Sequence, residues 1–311
     1  MPILCCSTSR RLFHNISCPA QCIIPTSDPD AYELYPAFRW VYNKLMVAEL
    51  QGIKCGPHET EPDPSLYPIF SKPIYNLGGL SAEARQINTR EDYWCSHTPG
   101  HMWSALLSGG HYSTDIAVVE GNPVWFGHTR GVAGPGQTWE YWEINVLADI
   151  HVQQNITAFI QAHMAEYTGM VNMETIDGMI IEVHLRFSPQ WPDIYGSWFL
   201  PSLVDLYSGR GWTGPSSAKT RAGYSVPLFD DEKYAPICSL IKPEHLQEME
   251  REFDVSSITL GYDIAMPLKG RTRPAGGFRI AWINGFDLEK CKLARRRLQI
   301  CIHNLFDMDG R

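Results

Sequence analysis

The stretch MVNMETIDGMIIEVHLRF, residues 170–187, decides the fold expected for this chain. Two apolar runs, each interrupted by polar residues, flank the dipeptide Asp177-Gly178. Asp-Gly between such runs is a strong signal for a β-hairpin with a two-residue turn. Because side chains alternate between the two faces of a strand, Glu182, His184 and Arg186 are predicted to lie on one face.

A second carboxylate lies on the other arm of this hairpin. Glu174 is predicted to lie roughly opposite Ile181, so it reaches Glu182 only where the hairpin twist or a bulge helps. Two carboxylates, an imidazole and a guanidinium on one patch are costly to bury unpaired. From the residues alone, three explanations stay open: a solvated face, an internal salt-bridge network, or a site for a divalent cation and an anion. Carboxylate oxygens suit Mg²⁺, which usually binds together with phosphate oxygens.

The hairpin resembles the metal-ligand hairpin of ATP-grasp enzymes, and the resemblance is closest to biotin carboxylase. It implies that Glu174 and Glu182 hold the metal ions that bridge the ATP phosphates, and that Arg186 is catalytic. His184 stands where the family usually has Asn, so this chain departs from the family pattern at the third metal ligand. Histidine binds Mn²⁺ or Zn²⁺ but is a poor ligand for Mg²⁺.

Two lysines that precede the hairpin also fit the resemblance. Asn43-Lys44-Leu45 opens a predicted helix and resembles the family's Asp-Lys helix start, whose lysine contacts ATP. The segment YPIFSKP, residues 67–73, is similar to the strand that ends in the family's phosphate-binding lysine, here Lys72. An ammonium group at a strand end beside a glycine turn is a natural phosphate clamp. Gly78 and Gly79 would then belong to the loop over the phosphates, although the residues alone allow a plain turn.

Further candidate nucleotide contacts follow in the order of the family's elements. The hinge whose backbone meets adenine is matched by Trp103, Ser104, Ala105 and Leu106. His111 falls where biotin carboxylase has a nucleotide-contacting histidine, and from the residues alone it is as readily a structural residue. Arg130, with His128 on the same strand face, is a candidate for a second phosphate or substrate contact.

Arginines are frequent in the last quarter of the chain. Arg271, Arg273 and Arg279, around Gly276-Gly277, are predicted to form a carboxylate pocket, because arginine forks bind carboxylates in bidentate fashion. The alternative is a set of ordinary surface cations. The three consecutive arginines 295–297 are predicted to form a solvated helix face.

Apolar residues spaced about 3.6 apart predict helices over 31–52, 147–168, 198–208, 243–253 and 287–305. A strand meander is predicted over 102–142, and the Gly-, Ser- and Pro-rich segment 209–235 is predicted to be a connection. The fold class is therefore α+β. The resemblance implies the ATP-grasp fold, in which two α+β subdomains grip ATP, here with a shortened N-terminal subdomain and a small C-terminal α/β extension. The predicted domain bounds are 1–40 for an irregular or vestigial N-terminal segment, 41–208 for the ATP-grasp core, and 209–311 for a linker and C-terminal subdomain.

Composition argues against several other classes. The formal charge of -8 carries no long basic run, which argues against nucleic acid as a partner. No stretch approaches the ~18–20 apolar residues of a membrane span. Nine scattered cysteines without a CxxC pair predict free thiols in a reducing compartment, hence a cytoplasmic protein, with Cys18 and Cys22 at most a metal half-site. The first 27 residues lack Asp and Glu and are expected to be a ragged terminal segment rather than a targeting peptide.

The function predicted by the resemblance is an ATP- and metal-dependent ligase. It would activate a substrate carboxylate as an acyl phosphate for attack by an amine or another nucleophile, with ATP and Mg²⁺, or Mn²⁺, as cofactors. The expected partners are the small-molecule carboxylate and the nucleophile, and a homodimer is expected because many relatives are dimers. Two alternatives stay open: an ATP-binding module that has lost catalysis, and a metal-dependent hydrolase built on Glu174, Glu182 and His184. No GxSxG or HExxH motif supports a hydrolase.

Overall fold

A computed structural model of the chain describes residues 3–4, 16–19, 22–75, 77, 83–135, 138–215, 221–261 and 277–309. Its strands are β1 Ile3–Leu4, β2 Ile24–Pro25, β3 Cys55–Pro57, β4 Ile69–Pro73, β5 Arg85–Ile87, β6 His101–Ala105, β7 His111–Val119, β8 Asn122–Ala133, β9 Trp139–Ile144, β10 Gly169–Ile176, β11 Met179–His184, β12 Gly223–Asp230, β13 Ser257–Leu260 and β14 Phe278–Gly285. Its α-helices are α1 Asp28–Leu34, α2 Lys44–Leu50, α3 Arg90–Cys95, α4 Ile150–His163, α5 Phe199–Tyr207, α6 Pro243–Phe253 and α7 Leu288–Asp309, and short 3-10 helices cover Pro36–Tyr42, Pro64–Leu66 and Glu232–Leu240.

The single helix predicted over 31–52 is wrong, because the chain forms α1, a 3-10 helix and α2 in its place. Pro36 fixes its own backbone angle, has no N–H to donate, and begins the 3-10 helix. Asn43 then leaves the helical region with ψ 95°, and its side chain accepts a hydrogen bond from the Met46 N–H at 3.0 Å. This N-cap starts α2 at Lys44, as the sequence motif predicted.

The connection predicted over 209–235 is also wrong, because it contains the strand β12. The strand was not predicted because Pro227 lies within it, and proline removes a hydrogen-bond donor from a sheet. The pairing of β12 with β9 covers only Gly223 to Ser225, whereas the pairing with β14 runs from Tyr224 to Asp230. Pro227 therefore lies beyond the end of the β9 ladder, where the missing donor costs little.

The chain divides into two compact units by contacts. The first unit comprises Met1–Ser27, Gly127–Leu147 and Ser188–Arg311, and the second comprises Asp28–Phe126 and Ala148–Phe187. Both are assembled from separated stretches of sequence. The predicted domain bounds at residues 40 and 208 describe the chain differently and stay a prediction.

The second unit contains two antiparallel arrays of strands. A small sheet has the order β3-β6-β4-β5, and its core consists of Ile69, Ile87, Tyr93 and Trp103. The other array places β10 between β11 and β7. The hairpin β10–β11 was predicted from Asp177-Gly178 and is confirmed, and both turn residues have positive φ, 49° and 77°, as a type I′ turn requires.

The first unit has its own antiparallel array, in which the later part of β8 pairs with β9, followed by β12, β14 and β13. Helix α7 packs on β12 and β14 through Cys291, Ala294, Leu298 and Ile302, which recur at helical spacing and are buried. Of the arginines predicted on its solvated face, Arg296 and Arg297 are exposed and Arg295 is half-buried. Over the described residues, no helix is long and apolar enough to cross a membrane.

Candidate functional site

A β-bulge decides how the two glutamates of the hairpin lie. Below the turn, Ile176 pairs with Met179 and Thr175 with Ile180, but Glu174 pairs with Glu182 because the ladder skips Ile181. Residues paired directly across a ladder point to the same face. The bulge therefore places Glu174 and Glu182 side by side, which the two-residue periodicity alone did not predict.

Lys44 reaches this pair from the start of α2. Its backbone N–H donates to the Ile74 carbonyl at 3.0 Å, which ties the helix start to the chain just after β4. Its side chain is 7% exposed, and Nζ lies 3.1 Å from Oε1 of Glu182. A buried ammonium group needs a charge partner, and Glu182 supplies it.

Lys72 arrives from β4, where its backbone partner is Met102 of β6. Its Nζ donates to the carbonyl oxygen of Ile181 at 2.8 Å, so it binds the residue that the bulge leaves out of the ladder. Burial lowers the pKa of Lys72 to about 8, against the opposing effect of the Glu182 charge. The charge of Lys44 adds to the lowering, because like charges disfavour each other.

Glu174 has its own cationic neighbours. Nε2 of His111, on β7, lies 3.1 Å from Oε2 of Glu174. Burial alone would raise the pKa of Glu174, but the hydrogen bond and charge of His111, with the charges of His184 and Lys44, outweigh burial and lower it to about 2. Glu174 is therefore an ionised carboxylate, as a cation ligand must be.

His184 is fixed on its other side by Asp28, the first residue of α1. Its Nδ1 lies 3.0 Å from Oδ1 of Asp28, and Arg186 Nη2 donates to Oδ2 of the same carboxylate at 2.6 Å. The Tyr42 hydroxyl donates to Oδ1 at 3.3 Å and accepts the Leu185 N–H at 3.2 Å. Burial alone would raise the pKa of Asp28, but the charges of Arg186 and His184 hold it well below its usual range. Burial lowers the pKa of His184, and the charge of Asp28 reverses this, so that the pKa is raised overall.

These groups fit a divalent cation. Among the residues that the structure describes, Glu174, Glu182 and His184 are the one group of His, Cys, Asp and Glu side chains able to share an ion, with ligand atoms within 4.8 Å of one another. The oxygen ligands of one Mg²⁺ lie at most about 4.2 Å apart, twice the metal–oxygen distance. A small side-chain rotation therefore brings the three groups to coordinating distance.

Two crevices adjoin Lys44 in the second unit. One, of about 170 Å³, is lined by Val41, Tyr42, Lys44, Glu182 and Val183. The other, of about 230 Å³, is lined by Lys44, Ala48, Ile53, Lys72, Met102, Ser104, Leu107, Ile180 and Ile181. These volumes include space open to solvent, and the room that either crevice leaves for a water-sized molecule is at most about 10 Å³, far below the roughly 300–1,000 Å³ of typical small-molecule sites. The lysine side chains themselves fill part of this space.

The predicted adenine hinge is divided between the two faces of β6. Ser104 lines the larger crevice, whereas Trp103 points to the opposite face, packs in the core of the small sheet and donates from Nε1 to the Thr60 carbonyl at 2.7 Å. The Ala105 N–H donates to the Lys54 carbonyl at 2.8 Å. Leu106 is 40% exposed, and its neighbour Leu107 lines the crevice instead.

Several predicted residues belong to the first unit or fall outside the described residues. Arg130 and His128 belong to the first unit, where Arg130 Nε donates to Glu143 Oε2 at 2.7 Å. Arg279, in the same unit, donates from Nη1 to Gln190 Oε1 at 2.6 Å. Gly78, Gly79, Arg271, Arg273 and Gly276 lie outside the described residues.

Sequence reasoning missed Asp28, Tyr42, Met102 and Ile180. Met102 carried a usable signal, because it alternates with Trp103 and shares a strand face with Ser104. Asp28 carried none, because it is separated from His184 by 156 positions and its contact depends on the packing of α1.

No protein-family model matches the sequence, and no curated protein sequence matches it either. Solved structures do match. An L-amino acid ligase from Bacillus licheniformis is 13% identical with a TM-score of 0.57, over 94% of this chain and 81% of its own. A carboxyaminoimidazole ribonucleotide synthase from Aspergillus clavatus, solved with ATP, is 12% identical with a TM-score of 0.59, over 92% of this chain and 81% of its own. Biotin carboxylase from Campylobacter jejuni is 14% identical with a TM-score of 0.50, over 68% of this chain and 60% of its own.

At these identities the likeness is one of fold, and the chain has the ATP-grasp fold. The predicted α+β class and the predicted resemblance are both confirmed at that level. The names of these neighbours describe a ligase, a synthase and a carboxylase, and they say nothing of the substrate of this chain.

Proposed function

We propose that this chain binds ATP with a divalent cation and uses it to activate a carboxylate for ligation to an amine or another nucleophile. The observation that supports this most is the meeting of two buried lysines with two opposed glutamates in one ATP-grasp unit. Ammonium groups complement phosphate oxygens, and ionised carboxylates complement the cation that accompanies them. A purely structural network has no need of two cationic side chains converging on one bulge.

Each side chain has a role in this proposal. Lys44 and Lys72 neutralise phosphate charge. Glu174 and Glu182 hold the cation, and Arg186 contributes positive charge beside them. Ser104 and Leu107, in the larger crevice, lie next to the adenine, and His111 orients Glu174. When bound, the cation draws electron density from the phosphoryl oxygens and neutralises charge that develops there.

The reaction has two displacements. A substrate carboxylate oxygen attacks the γ-phosphorus of ATP, the bond from that phosphorus to the ADP oxygen breaks, and an acyl phosphate forms. The nucleophile then attacks the acyl carbon, the carbon–oxygen bond to phosphate breaks, and the nucleophile's proton leaves with phosphate or water. Catalysis rests on positioning and on charge stabilisation.

The two lysines are bonded within the protein, Lys44 to Glu182 and Lys72 to the Ile181 carbonyl. A nucleotide must therefore exchange these contacts for phosphate oxygens and widen the crevices. The exchange is favourable for Lys72, because burial disfavours its charge and a phosphate restores a full counter-charge. With Glu182 holding a cation, Lys44 would be free to turn from that carboxylate to a phosphate oxygen.

Thermal unfolding with and without ATP tests the proposal. A ligand at 100 times its dissociation constant adds ~2.7 kcal/mol, which raises the Tm by about 5 °C for a chain of this size. Wild type is compared with Lys72→Ala and Glu182→Gln, each with Mg²⁺, Mn²⁺ or no metal. The matched controls are Lys54→Ala and Glu248→Gln, which alter exposed side chains of the same types.

A rise that needs metal, persists in both controls and is lost in both site variants supports nucleotide binding. Phosphate release across a panel of carboxylates and amines then tests the ligase step. Binding without turnover on any substrate supports an ATP-binding module that has lost catalysis. A Tm that ATP raises with neither metal overturns the nucleotide proposal. A metal-dependent hydrolase built on the same side chains is then the function to test.

A further inference from the structure

We propose that His184 is a nitrogen ligand held in place by Asp28, and that it makes the cation site of this chain select Mn²⁺ over Mg²⁺. This inference rests on the proposed function, since it concerns the cation held by Glu174 and Glu182. It concerns the residue at which the chain departs from the ATP-grasp pattern. The geometry around both ring nitrogens carries it.

The contact with Asp28 fixes which nitrogen carries hydrogen. Asp28 accepts from Arg186 at 2.6 Å and from the Tyr42 hydroxyl at 3.3 Å, so its carboxylate is ionised and can only accept. Nδ1 of His184 lies 3.0 Å from Oδ1 of Asp28, and two acceptors at that distance would repel. Nη2 of Arg186 also lies 3.4 Å from Nδ1, but its shorter contact, 2.6 Å, is with Oδ2 of Asp28, so the 3.0 Å contact with Oδ1 assigns the ring hydrogen to Nδ1. A neutral imidazole then has its lone pair on Nε2.

The free nitrogen faces the glutamates. Nε2 lies 3.8 Å from Oε1 of Glu182, which is too long for a hydrogen bond and close enough for both atoms to bind one ion. The side chain of His184 is 8% exposed, so water has little access to the ring. A cation between the glutamates would therefore meet a ring nitrogen with a lone pair as well as two carboxylates.

The donor set decides the preferred metal. Mg²⁺ binds oxygen ligands in a strict octahedron and gains little from imidazole. Mn²⁺ accepts carboxylate and phosphate oxygens as readily as Mg²⁺ and also accepts imidazole nitrogen. Two carboxylates, one imidazole and the phosphate oxygens of a nucleotide therefore suit Mn²⁺ better than Mg²⁺.

Asp28 acts through His184 and is a positioning residue. Metal-binding histidines typically donate the second ring N–H to a carboxylate, which fixes the ring and raises the basicity of the ligating nitrogen. Arg186 and Tyr42 hold the Asp28 carboxylate from its other sides. Arg186 thereby serves the cation site indirectly as well as through its charge.

The test is pulsed electron paramagnetic resonance of Mn²⁺ bound to the full chain, with Mn²⁺ alone and with Mn²⁺ and ATP. Coupling of the manganese electron spin to a ¹⁴N nucleus is expected in wild type and is lost in His184→Asn. The matched control is His111→Gln, which removes the other imidazole beside the glutamates and should keep the coupling. Circular dichroism verifies that each variant is folded.

Affinity gives a second readout. Titration of the free Mn²⁺ signal should show affinity roughly 10- to 100-fold weaker in Asp28→Asn, the range expected for outer partners of metal ligands. In His184→Asn, the affinity for Mn²⁺ should fall more than the affinity for Mg²⁺. The Mg²⁺ concentration that displaces Mn²⁺ measures this difference. An equal loss of affinity for the two ions in His184→Asn overturns the inference.

Failure of this inference differs from failure of the proposed function. Bound Mn²⁺ without nitrogen coupling in wild type shows that His184 is not a ligand and overturns the inference, while an ATP-dependent rise in Tm would still support the proposed function. No Mn²⁺ binding, with or without ATP, overturns the inference together with the cation role of Glu174 and Glu182.

Discussion

Two clusters built around buried histidines in the second unit differ in whether every ring nitrogen has a hydrogen-bond partner. The hairpin cluster consists of Glu174, Glu182, His184, Asp28 and Arg186, and the small-sheet cluster consists of His58, Ser71, His101 and Glu83. Both use imidazoles bonded to oxygen atoms at about 3 Å. The hairpin cluster holds several charges, whereas the small-sheet cluster is a chain of hydrogen bonds that ends in one carboxylate.

In the small-sheet cluster every ring nitrogen has a partner. Nδ1 of His58 accepts the Thr98 N–H at 3.0 Å, which leaves hydrogen on Nε2 for the Ser71 hydroxyl oxygen at 2.9 Å. His101 lies 3.5 Å from the same hydroxyl through Nδ1 and 3.1 Å from Glu83 through Nε2. Burial, with the neighbouring charge of His101, lowers the pKa of His58 to about 4. This cluster is satisfied within the fold.

The comparison teaches how a structural cluster differs from a candidate site. In the hairpin cluster, Nε2 of His184 and the glutamates converge without a hydrogen bond between them. That nitrogen is a ligand atom that a cation could use, whereas the small-sheet cluster offers no ring nitrogen without a partner.

The largest effect is expected from removal of the buried carboxylate. Asp28→Ala leaves Arg186 without its charge partner and should lower the free energy of unfolding by about 3 kcal/mol, measured by urea denaturation. Ser71→Ala in the small-sheet cluster removes a neutral hydroxyl and should cost about 1 kcal/mol. Equal losses of unfolding free energy in the two variants would show that the charged contacts of the hairpin cluster matter no more to stability than one neutral hydroxyl.

A smaller effect is expected from pH. His58 binds a proton near pH 4 in the folded chain and near 6.5 in the unfolded chain, so between these values the unfolded state holds more protons. Stability is therefore full above pH 6.5 and falls on acidification through that window, by about 1 kcal/mol per pH unit from this group. Urea midpoints measured from pH 7 to pH 4.5 should show a shallower slope in His58→Gln.

The control for this prediction is His245→Gln, which alters an exposed histidine of α6 and should leave the slope unchanged. An unaltered dependence of stability on pH in His58→Gln would mean that His58 takes up its proton equally in the folded and unfolded states. Burial in the small sheet would then not hinder its protonation.

The smallest effect concerns two helix caps. Asn43→Ala removes the cap of α2, and Thr89→Ala removes the cap of α3, where the hydroxyl accepts the Asp92 N–H at 3.1 Å. Each should cost about 1 kcal/mol of stability. Only Asn43→Ala should also weaken ATP binding, because α2 presents Lys44. Isothermal titration calorimetry with ATP and metal distinguishes the two variants. Equal losses of ATP affinity in both would show that Lys44 does not contribute to the nucleotide site.

Much of the candidate site could be predicted from local sequence. Asp177-Gly178 set the hairpin turn, because positive φ at both positions suits these residues. Asn43 set the start of the lysine helix, and strand alternation put Glu182 and His184 on one face. The order of these elements was enough to predict the ATP-grasp fold, which the solved structures confirm.

The sequence by itself determined which short elements form and which face of each is polar, because turns, caps and alternation act between residues a few positions apart. Only the tertiary structure decided that the ladder skips Ile181, which places Glu174 beside Glu182. It also decided that Asp28 meets His184 and that Lys72 binds the bulge. The last two contacts join residues more than a hundred positions apart, and no local pattern encodes them, because they depend on how the packed elements share a buried space.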